Sequence, residues 1–438
     1  MKIGIIGAGA TGLAAAYDLS KWGHEVKIYE RDKFLGGHAS TFNVSNVPIE
    51  KGYHHWFTSD LDIINLCEEI GLGNRIGWFP SKVGTLFEGK IYDFVTPLDI
   101  LKYRPLSFTD RFKLGLSALK IKRIKDWKTI EGFTAVQWFR ENVNRRVFES
   151  FWEPMLRGKF GEEHYREVGM AWVWGKMNTR FASRKGIGKE MLGYPIGSFK
   201  EFFDRLGERA ISQGTEIHLD TSISKIRTSH NKVQGMEVGE GSKFERFDAV
   251  IASIPSNIFE KITEGLTGEY RAKLTSVDYM SAILLILVLD RPLSNIYWLN
   301  VADRSVPFVG VIEHTNLIGA SHYNGNHIVY LSNYLTPDNE YYRMNSDELL
   351  DAYLPHISKI NPSFDRNWIL DYHHHRIDGA QPIVGAYYSS RMPPHETGID
   401  NLYLANTTQV YPEDRGTNYS VKMGREIALK ADENLRLN

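Results

Sequence analysis

The sequence is nearly devoid of cysteine, because Cys67 is the only one among its 438 residues. A single thiol cannot form an internal disulfide, so no residue pattern indicates an oxidising compartment. Zinc-ribbon and thioredoxin-like sites are excluded as well, since both need paired cysteines. The surrounding segment, LDIINLCEEIGL, predicts a helix in which Cys67 is a small buried hydrophobe rather than a reactive thiol.

Long hydrophobic runs and a charge imbalance are also missing. The longest apolar run, Met280 to Leu289, is too short for a bilayer span of about 20 residues. The N-terminus carries no signal-peptide pattern, so we expect a cytoplasmic protein. Lys and Arg (52) nearly balance Asp and Glu (53), and this balance gives no reason to expect a nucleic-acid partner.

The first thirty residues follow the order of a dinucleotide-binding unit. A β-branched strand, Lys2 to Ile6, leads to Gly7, Gly9 and Gly12, then to a small-residue helix, a second strand and Glu30. The first glycine permits a tight turn, the second lets the backbone approach a pyrophosphate, and the third lets the helix pack close to the strand. The helix N-terminus attracts the phosphates, and the acid accepts hydrogen bonds from a ribose. This order predicts a dinucleotide site without distinguishing NAD from FAD.

The segment after Glu30 resembles one particular family. Residues 31–41 read RDKFLGGHAST, with a second glycine pair at Gly36 and Gly37. The segment resembles the flavin amine oxidase, protoporphyrinogen oxidase and phytoene desaturase superfamily, in which a Gly-Gly pair, an Arg and a Ser or Thr follow the acid. The resemblance implies FAD as the cofactor, with this segment along the pyrophosphate and the ribityl chain. His38 stands where the family usually has Arg.

The resemblance continues in the middle of the chain and near its C-terminus. It implies that Gly52 and the residues after it lie near the isoalloxazine ring, that Ile223 lies against the adenine, and that a helix beginning near Asn418 points at the flavin. The chain has Asn406 where Asp is usual and Tyr419 where Gly is common. The residues that the resemblance assigns to FAD are Gly7, Gly9, Ala10, Thr11, Gly12, Glu30, Arg31, Gly36, Gly37, His38, Ala39, Ser40, Gly52, Ile223, Asn406, Thr417, Asn418 and Tyr419.

The resemblance also implies the fold. We expect an α/β protein with a Rossmann-type FAD-binding domain and an inserted α+β substrate domain, which combines a mixed sheet with a helical region. The FAD-binding domain is expected to be discontinuous and to comprise residues 1–85, 190–255 and 395–438. The substrate-binding domain is expected to comprise residues 86–189 and 256–394.

The function implied by the family is FAD-dependent transfer of a hydride from a C–N or C–C bond of an organic substrate to flavin N5. His54 or His55 is the predicted catalytic polar group beside the ring; alternatively, the two histidines are only hydrogen-bonded within a loop. A redox-neutral sugar-nucleotide mutase resembling UDP-galactopyranose mutase is a second hypothesis, and a flavin-binding subunit without turnover is a third. An Arg-rich pocket would favour the mutase, because phosphates need bidentate partners. The arginines available for it are Arg157, Arg180, Arg184 and Arg376.

Residues 101–128 combine Leu, Ile and Phe with nine basic side chains. A basic amphipathic helix of this kind contacts a membrane surface or a partner protein. The alternative is a solvated basic face over a packed apolar one. Peripheral membrane contact through this segment is therefore one of two open hypotheses.

Three further patterns have both a functional and a structural interpretation. The triplet His373–His375 suggests a metal, but alternate residues of a strand face opposite sides, so the three cannot bind one ion and no metal site is predicted. Residues 380–382 (Ala-Gln-Pro) loosely match a stretch that lies beside the flavin in the family. Residues 313–316 either face the substrate or cap a turn, and Tyr387 and Tyr388 either line a pocket or pack in the sheet.

Overall fold

The computed structural model describes residues 1–183 and 190–437. The strands are β1 (Lys2–Ile6), β2 (Glu25–Tyr29), β3 (Thr41–Val44), β4 (Val47–Glu50), β5 (Trp56–Phe57), β6 (Ile76–Pro80), β7 (Val83–Phe87), β8 (Lys90–Asp93), β9 (Met191–Pro195), β10 (Glu216–His218), β11 (Ile223–Ser229), β12 (Lys232–Val238), β13 (Lys243–Arg246), β14 (Ala249–Ala252), β15 (Tyr279–Leu289), β16 (Trp298–Val301), β17 (Gly310–Glu313), β18 (His327–Leu335), β19 (Ile369–Pro382) and β20 (Leu402–Leu404). The α-helices are α1 (Ala10–Lys21), α2 (Leu61–Glu69), α3 (Pro97–Lys102), α4 (Phe108–Arg123), α5 (Ala135–Asn142), α6 (Arg145–Val147), α7 (Glu153–His164), α8 (Met170–Ala182), α9 (Ser198–Ser212), α10 (Ser256–Ile262), α11 (Gly268–Thr275), α12 (Thr315–Ile318), α13 (Glu340–Arg343), α14 (Ser346–Ile357), α15 (Tyr388–Arg391) and α16 (Thr417–Leu437).

A five-stranded parallel sheet in the order β10-β2-β1-β14-β20 forms the nucleotide-binding core. Its central strand β1 is a continuous apolar run, as expected of a parallel strand covered on both faces. The predicted succession of strand, glycine turn, helix and strand is confirmed by β1, α1 and β2. After β2, the chain returns to this sheet three times from the rest of the molecule, at β10, β14 and β20.

Different layers cover the two faces of this sheet. On one face, Ile3 and Ile5 of β1 belong to a cluster with Leu13 of α1 and Ile427 of α16. On the other face, Ile6 joins the apolar side chains of the antiparallel sheet β11-β12-β13. α1 and α16 pack backbone against backbone, because a Cβ added to Gly424 of α16 would lie 2.3 Å from the carbonyl oxygen of Thr11. The first and the last helix therefore form one unit around the glycine turn.

A seven-stranded mixed sheet, in the order β19-β15-β18-β17-β16-β7-β8, forms the second half of the molecule. Its strand β15 contains the longest apolar run of the sequence. Successive side chains of a strand point to opposite faces. Accordingly, Leu284 and Ile286 lie in the large core shared with the nucleotide-binding half, whereas Leu285 and Leu287 lie in a separate core that includes α14. The uninterrupted apolar run thus reflects a strand buried on both faces.

A helical region, α3 to α8, follows the first strands of the seven-stranded sheet, as the resemblance implies. Aromatic side chains hold it together: the rings of Phe139 and Trp152 stack at 4.5 Å, and Phe160 meets Trp172 edge to face at 4.8 Å. The fold is therefore the expected α/β architecture with an inserted α+β part. The exact division into domains stays a prediction, although all five strands of the parallel sheet come from the ranges assigned to the FAD-binding domain, and β7 spans the proposed boundary at residue 85.

Candidate functional site

The glycine turn at the end of β1 forms a backbone cradle. A Cβ on Gly12 would lie 2.0 Å from the carbonyl oxygen of Gly7, so only glycine permits this close approach of α1 to the turn. A Cβ on Gly37 would lie 3.4 Å from the Cα of Gly9. Both predicted glycine motifs therefore meet at one place, where side chains would fill the space that a pyrophosphate needs. The cradle fits a dinucleotide.

Glu30 lies beside this cradle and is buried. Its carboxylate accepts hydrogen bonds from the backbone N–H of Ala8, at 2.8 Å, and from that of Asp32, at 3.0 Å. A carboxylate has about four acceptor positions, so both oxygens keep capacity for ribose hydroxyls. The geometry is consistent with the ribose-binding role that the sequence predicts.

The remaining predicted phosphate-side residues surround the same turn. Ala10 and Thr11 form the first turn of α1, where no side chain caps the helix start in the described structure, so its N–H groups face the cradle side. Ala39 and Ser40 are buried at the end of the short helical turn that follows Gly37. Arg31 is exposed at the rim.

Three predicted histidines lie deep in the molecule and are uncharged. Burial, aided by the charges of Arg415 and Arg31, lowers the pKa of His38 to about 4. Burial likewise lowers the pKa of His54 to about 4 and that of His55 to about 3. All three imidazoles are therefore neutral at pH 7.

The hydrogen bonds of His54 and His55 fix their orientation. His54 Nδ1 donates to the carbonyl oxygen of Gly52 at 2.5 Å, so its Nε2 is an unprotonated acceptor. His55 Nδ1 shares a hydrogen bond with the Tyr297 hydroxyl at 2.9 Å. The two side chains are thus bonded within their surroundings, as the structural interpretation expects. A catalytic role for either one stays a prediction.

The residues predicted at the C-terminal helix bind other parts of the chain. Thr417 Oγ1 accepts a hydrogen bond from the Trp56 indole at 3.0 Å, and Asn418 Oδ1 accepts one from the backbone N–H of Ile63, also at 3.0 Å. The hydroxyl of Tyr419 lies 3.1 Å from Thr179 Oγ1. These side chains hold the start of α16 in place, which leaves its backbone N–H groups as the part that could face a flavin.

Asn406 and Ile223 also have defined surroundings. Asn406 donates from Nδ2 to the carbonyl oxygen of Ile254 at 2.8 Å and to Ser256 Oγ at 3.1 Å, joining the ends of β14 and β20. It is therefore tied to the sheet rather than free. Ile223 begins β11 and is half-buried against the cluster on the outer face of the parallel sheet. Its expected contact with an adenine stays a prediction.

The structure also reveals a polar cluster that the sequence does not indicate. It consists of Lys159 on α7, Lys176 on α8, Tyr334 on β18, and Asp414 with Arg415 just before α16. Lys176 Nζ lies 2.8 Å from Asp414 Oδ2, and Lys159 Nζ lies 3.8 Å from the same atom. Lys159 Nζ and Arg415 Nη2 donate to the Tyr334 hydroxyl at 3.2 and 3.3 Å. The short sequence EDRG before the helix was the one local signal that could have pointed to this cluster.

Charge determines the ionisation of this cluster. Burial raises the pKa of Asp414, but the charges of Lys159 and Lys176 outweigh it and hold that pKa well below its usual range. Burial also raises the pKa of Tyr334, but Lys159 and Arg415 more than compensate, so that its pKa falls below that of an ordinary tyrosine. Burial lowers the pKa of Lys176, with Asp414 opposing. The cluster is therefore dominated by positive charge.

We infer that the polar cluster and the histidines line a common internal cavity. Lys176 and Asp414 lie deep in the molecule, yet their side chains are 22 and 18% exposed, and the side chain of Lys159 beside them is 18% exposed. Deep side chains that remain accessible are expected to face an interior space. Arg415 and Lys159 both lower the pKa of His54, and Arg415 lowers that of His38, the residue after the glycine cradle. The charged cluster therefore lies near His54 and near the residue that follows the glycine cradle.

Other patterns singled out in the sequence have structural roles. Glu313 accepts hydrogen bonds from the backbone N–H groups of Leu293 and Ser294 at 2.9 and 2.7 Å, which confirms that this segment caps a turn. Tyr387 is exposed, and the hydroxyl of Tyr388 donates to the carbonyl oxygen of Thr408, so the two tyrosines do not form an aromatic pair in the cavity.

The histidine triplet follows the predicted alternation. The rings of His373 and His375 both contact Phe42, at 4.9 and 4.4 Å, whereas His374 is on the other side of β19. No group of three metal-ligating side chains converges anywhere in residues 1–183 or 190–437. Gln381, in the stretch that resembles a flavin-side segment, accepts a hydrogen bond from Arg415 Nε at 3.2 Å and thereby borders the cavity.

The described arginines among those proposed for a phosphate pocket have separate surroundings. Arg157 donates to the carbonyl oxygen of Ala302 at 3.1 Å, and Arg376 donates to that of Met344. Arg180 lies close enough to the cavity to lower the pKa of His55. Arg184 lies outside the described residues.

Two surface cavities of ≈430 and ≈500 Å³ open on the helical region around α5 to α7. Acidic and basic side chains form ion pairs in their walls: Arg145 pairs with Glu149 at 2.6 Å, and Arg304 pairs with Glu153 at 3.3 Å. They contain none of the predicted cofactor residues. We therefore place the functional site at the glycine cradle and the internal cavity.

Comparison with known proteins places the chain among flavoproteins. The family model for flavin-containing amine oxidoreductases matches residues 10–412. The 15-cis-phytoene desaturase of Solanum lycopersicum is 25% identical over 450 residues, which cover 94% of this chain and 74% of the desaturase. Matches to other curated desaturases and to a coproporphyrinogen III oxidase span between 57% and 61% of those proteins, less than two thirds of their length.

Solved structures share the fold. An oxidoreductase from Methanosarcina mazei superposes with a TM-score of 0.76 at 20% identity, covering 98% of this chain and 100% of the other. Reduced UDP-galactopyranose mutase superposes with a TM-score of 0.75 at 16% identity, covering 100% and 96%. At these identities the likeness establishes the architecture alone.

Proposed function

Because the chain belongs to the flavin-containing amine oxidoreductase family, we propose that it oxidises a C–N or C–C bond of an organic substrate. Membership of this family makes it an FAD-dependent oxidoreductase. When bound, the flavin supplies the hydride acceptor at its N5 atom. The observation that supports the proposal most directly is the close approach of Gly9 and Gly37 in the glycine cradle.

The residues that would hold FAD are those of the cradle. The backbone at Gly9 and Gly37 leaves room for the pyrophosphate, the first turn of α1 presents N–H groups to it, and Glu30 accepts from the ribose. The start of α16 is fixed by Thr417 and Asn418, so its N–H groups are available for negative charge on a reduced flavin.

The cavity side chains would bind and orient the substrate. His54 offers an unprotonated Nε2, because its Nδ1 proton is committed to the carbonyl oxygen of Gly52. A neutral acceptor at this position can orient an N–H or O–H group without adding a positive charge. Burial of Trp56 and Tyr297 around the histidines keeps bulk water away from the reacting carbon.

The proposal is tested by purifying the full chain and recording its visible spectrum. We expect a bound flavin that loses its oxidised absorbance when substrate is added under anaerobic conditions, with a product that lacks two hydrogen atoms by mass spectrometry. Amines and partly saturated C–C compounds are the first substrates to test, since the family and the curated desaturases point to them. A chain that takes up no FAD, or one that holds FAD but is reduced by no substrate, would contradict the proposal.

A redox-neutral reaction on a sugar nucleotide is a second candidate function. The positive charge of Lys159, Lys176 and Arg415 favours it, since a diphosphate needs cationic partners. Such an enzyme requires reduced flavin and consumes no electron acceptor, whereas an oxidase consumes one acceptor per product. Consumption of the electron acceptor therefore distinguishes an oxidase from a mutase. A flavin-binding subunit without turnover would consume no acceptor and form no product.

A peripheral membrane contact is proposed for helix α4. Phe108, Phe112, Leu116 and Leu119 are 64, 51, 56 and 49% exposed, and they fall within about 80° of one another around the helix at ~100° per residue. The opposite face, with Leu114, is buried. Residues 101–128 carry nine basic and two acidic side chains, which suits an anionic lipid surface. No helix among the described residues is long and apolar enough to cross a bilayer.

The membrane contact is tested by flotation with vesicles of phosphatidylcholine alone or with phosphatidylserine added. We expect binding to the anionic vesicles, reduced at least about tenfold by the double change Phe112→Ser and Leu116→Ser, because each buried apolar side chain contributes roughly 1.5–3 kcal/mol. Leu370→Ser, at another exposed leucine, is the matched control. Equal binding of the double variant and the unaltered chain would contradict the proposal.

A further inference from the structure

The cavity cluster has more positive charge than its own carboxylate can balance. Asp414 accepts from Lys176 Nζ at 2.8 Å and from the Trp172 indole at 3.3 Å, while Lys159 Nζ is at 3.8 Å. Among the described residues, the hydrogen-bond partners of the Arg415 side chain are neutral: the amide oxygen of Gln381 and the Tyr334 hydroxyl. Across residues 1–183 and 190–437, no second carboxylate lies within ion-pair distance of these three cations.

Unbalanced charge in such a place is costly. Buried ions are paired in most proteins because removal from water costs several kcal/mol per ion. Here three cations come from three separate elements, α7, α8 and the segment before α16, and converge on Asp414 and the Tyr334 hydroxyl. One carboxylate balances one of them. The arrangement therefore suits an anion that the chain itself does not provide.

We propose that Lys159, Lys176 and Arg415 bind an oxyanion, a carboxylate or a phosphate, carried by the substrate. This inference rests on the proposed oxidation of an organic substrate. The two lysines lie on helices of the inserted region, whereas the pyrophosphate cradle is formed by the turns at Gly9 and Gly37. Lys159 and Lys176 therefore approach from the substrate side, and Arg415 joins them from the segment before α16. A cationic amine would be repelled at this position, and a pure hydrocarbon would leave the charges unbalanced.

Tyr334 reports on the occupancy of this site. Its hydroxyl accepts from Lys159 at 3.2 Å and from Arg415 at 3.3 Å, and it faces the Tyr53 hydroxyl and, further away, Asp414. Without an anion, these cations lower the pKa of Tyr334. An oxyanion on Lys159 and Arg415 competes for the same donors and adds negative charge, so it should move the pKa of Tyr334 back towards 10.

The experiment uses the FAD-loaded full chain with inorganic phosphate and acetate as separate probes, each measured by calorimetry. We expect at least one of them to bind, and the tighter one identifies phosphate or carboxylate as the preferred group. Lys159→Met should weaken binding about tenfold, the effect of one charge-assisted hydrogen bond, and Lys159→Arg should restore it. Asp414 keeps Lys176 in the Met variant, which limits loss of folding, and thermal unfolding checks this. Lys200→Met, on the surface of α9, is the control.

Two further readouts separate this inference from others. Anion binding should shift the ultraviolet titration of a tyrosine in the unaltered chain and not in Tyr334→Phe. FAD content and its visible spectrum should be unchanged in Lys159→Met. If the variant loses FAD, or if phosphate competes with FAD for the apoprotein, the cations serve the cofactor and the inference is overturned. If FAD binds but neither anion does, the inference fails while the proposed function stands; if no FAD binds, the proposed function itself fails.

Discussion

The indole Nε1 of Trp56 donates a hydrogen bond to Thr417 Oγ1 at 3.0 Å, across 361 residues of sequence. Trp56 is completely buried in the segment that follows the glycine cradle, and Thr417 is the first residue of α16. The bond therefore fixes the start of the last helix relative to the histidine segment. Both elements were expected to face the flavin, and this contact sets the distance between them.

Removal of this bond should destabilise the protein. In Thr417→Val the buried indole N–H loses its acceptor, and an unsatisfied buried donor costs about 1–3 kcal/mol. Thr417→Ser keeps the hydroxyl and is the matched control. We expect the free energy of unfolding, measured in urea, to fall for Val and to stay within about 0.5 kcal/mol for Ser. Equal stability of the two variants would show that the bond contributes little.

Gly12→Ala should damage the cradle. The added Cβ would lie 2.0 Å from the carbonyl oxygen of Gly7, a backbone atom that cannot move without displacing the turn. Overpacking of this kind costs about 1–3 kcal/mol, and FAD affinity should fall with it. Gly115→Ala is the control, since a Cβ there meets nothing within 4 Å and alanine is the better helix former. Flavin fluorescence and thermal unfolding measure both effects; normal FAD binding by the Gly12 variant would contradict the assignment.

The buried carboxyl of Glu50 should make stability depend on pH. Burial raises its pKa to about 7, although the Phe199 N–H and the Tyr194 hydroxyl oppose this by hydrogen bonding. The pKa of Glu50 is higher in the folded chain than in the unfolded chain. The stability that its protonated carboxyl contributes is therefore complete below about pH 4.5 and is lost as the pH rises through 7. The loss amounts to about 3 kcal/mol at alkaline pH.

Glu50→Gln should remove this part of the pH dependence. We expect the free energy of unfolding, measured with a chemical denaturant, to fall less between pH 5 and pH 8 in the variant than in the unaltered chain. Asp60 and Glu313, whose pKa values burial also raises to about 7, titrate in both proteins, so the difference between them isolates Glu50. Parallel stability curves for the two proteins would contradict the expected ionisation.

The neutral state of His54 is accessible to direct measurement. Burial depresses its pKa to about 4, so its imidazole should show no titration between pH 5.5 and 8, where an exposed histidine titrates near ~6.5. Nitrogen chemical shifts of labelled histidine, assigned with His54→Gln, should show the proton on Nδ1 and none on Nε2. A midpoint near 6.5 for His54 would contradict its buried, neutral state.

Short sequence patterns predicted the nucleotide-binding half because the steric constraints that shape it act between residues close in sequence. The glycines at 7, 9 and 12 lie within one turn, and each has a separate steric reason to be glycine. The residues assigned only through family resemblance stay predictions. The side chains of Asn406 and Asn418 are engaged by the protein itself, and a flavin contact through their backbone is still to be tested.

The cavity cluster could not be predicted in the same way. Its side chains come from four separate parts of the chain: Lys159, Lys176, Tyr334 and Arg415. Apart from the short sequence EDRG, no local pattern near any one of them indicates the others. Each taken alone is typical of a solvated basic or aromatic side chain. These side chains are brought together by the packing of α7 and α8 against β18 and the start of α16. That packing depends on contacts between residues far apart in sequence.

The contact of Gly424 with Thr11 has a consequence for how the protein is made. A chain leaving the ribosome can pair β1 with β2 at once, but β14 and β20 arrive only after most of the chain has been synthesised. Until α16 covers α1, the apolar face of the nascent nucleotide-binding half stays open to water and to other chains. Long-range pairing of this kind forms slowly, and until it is complete the exposed apolar face favours aggregation of the unfinished chain.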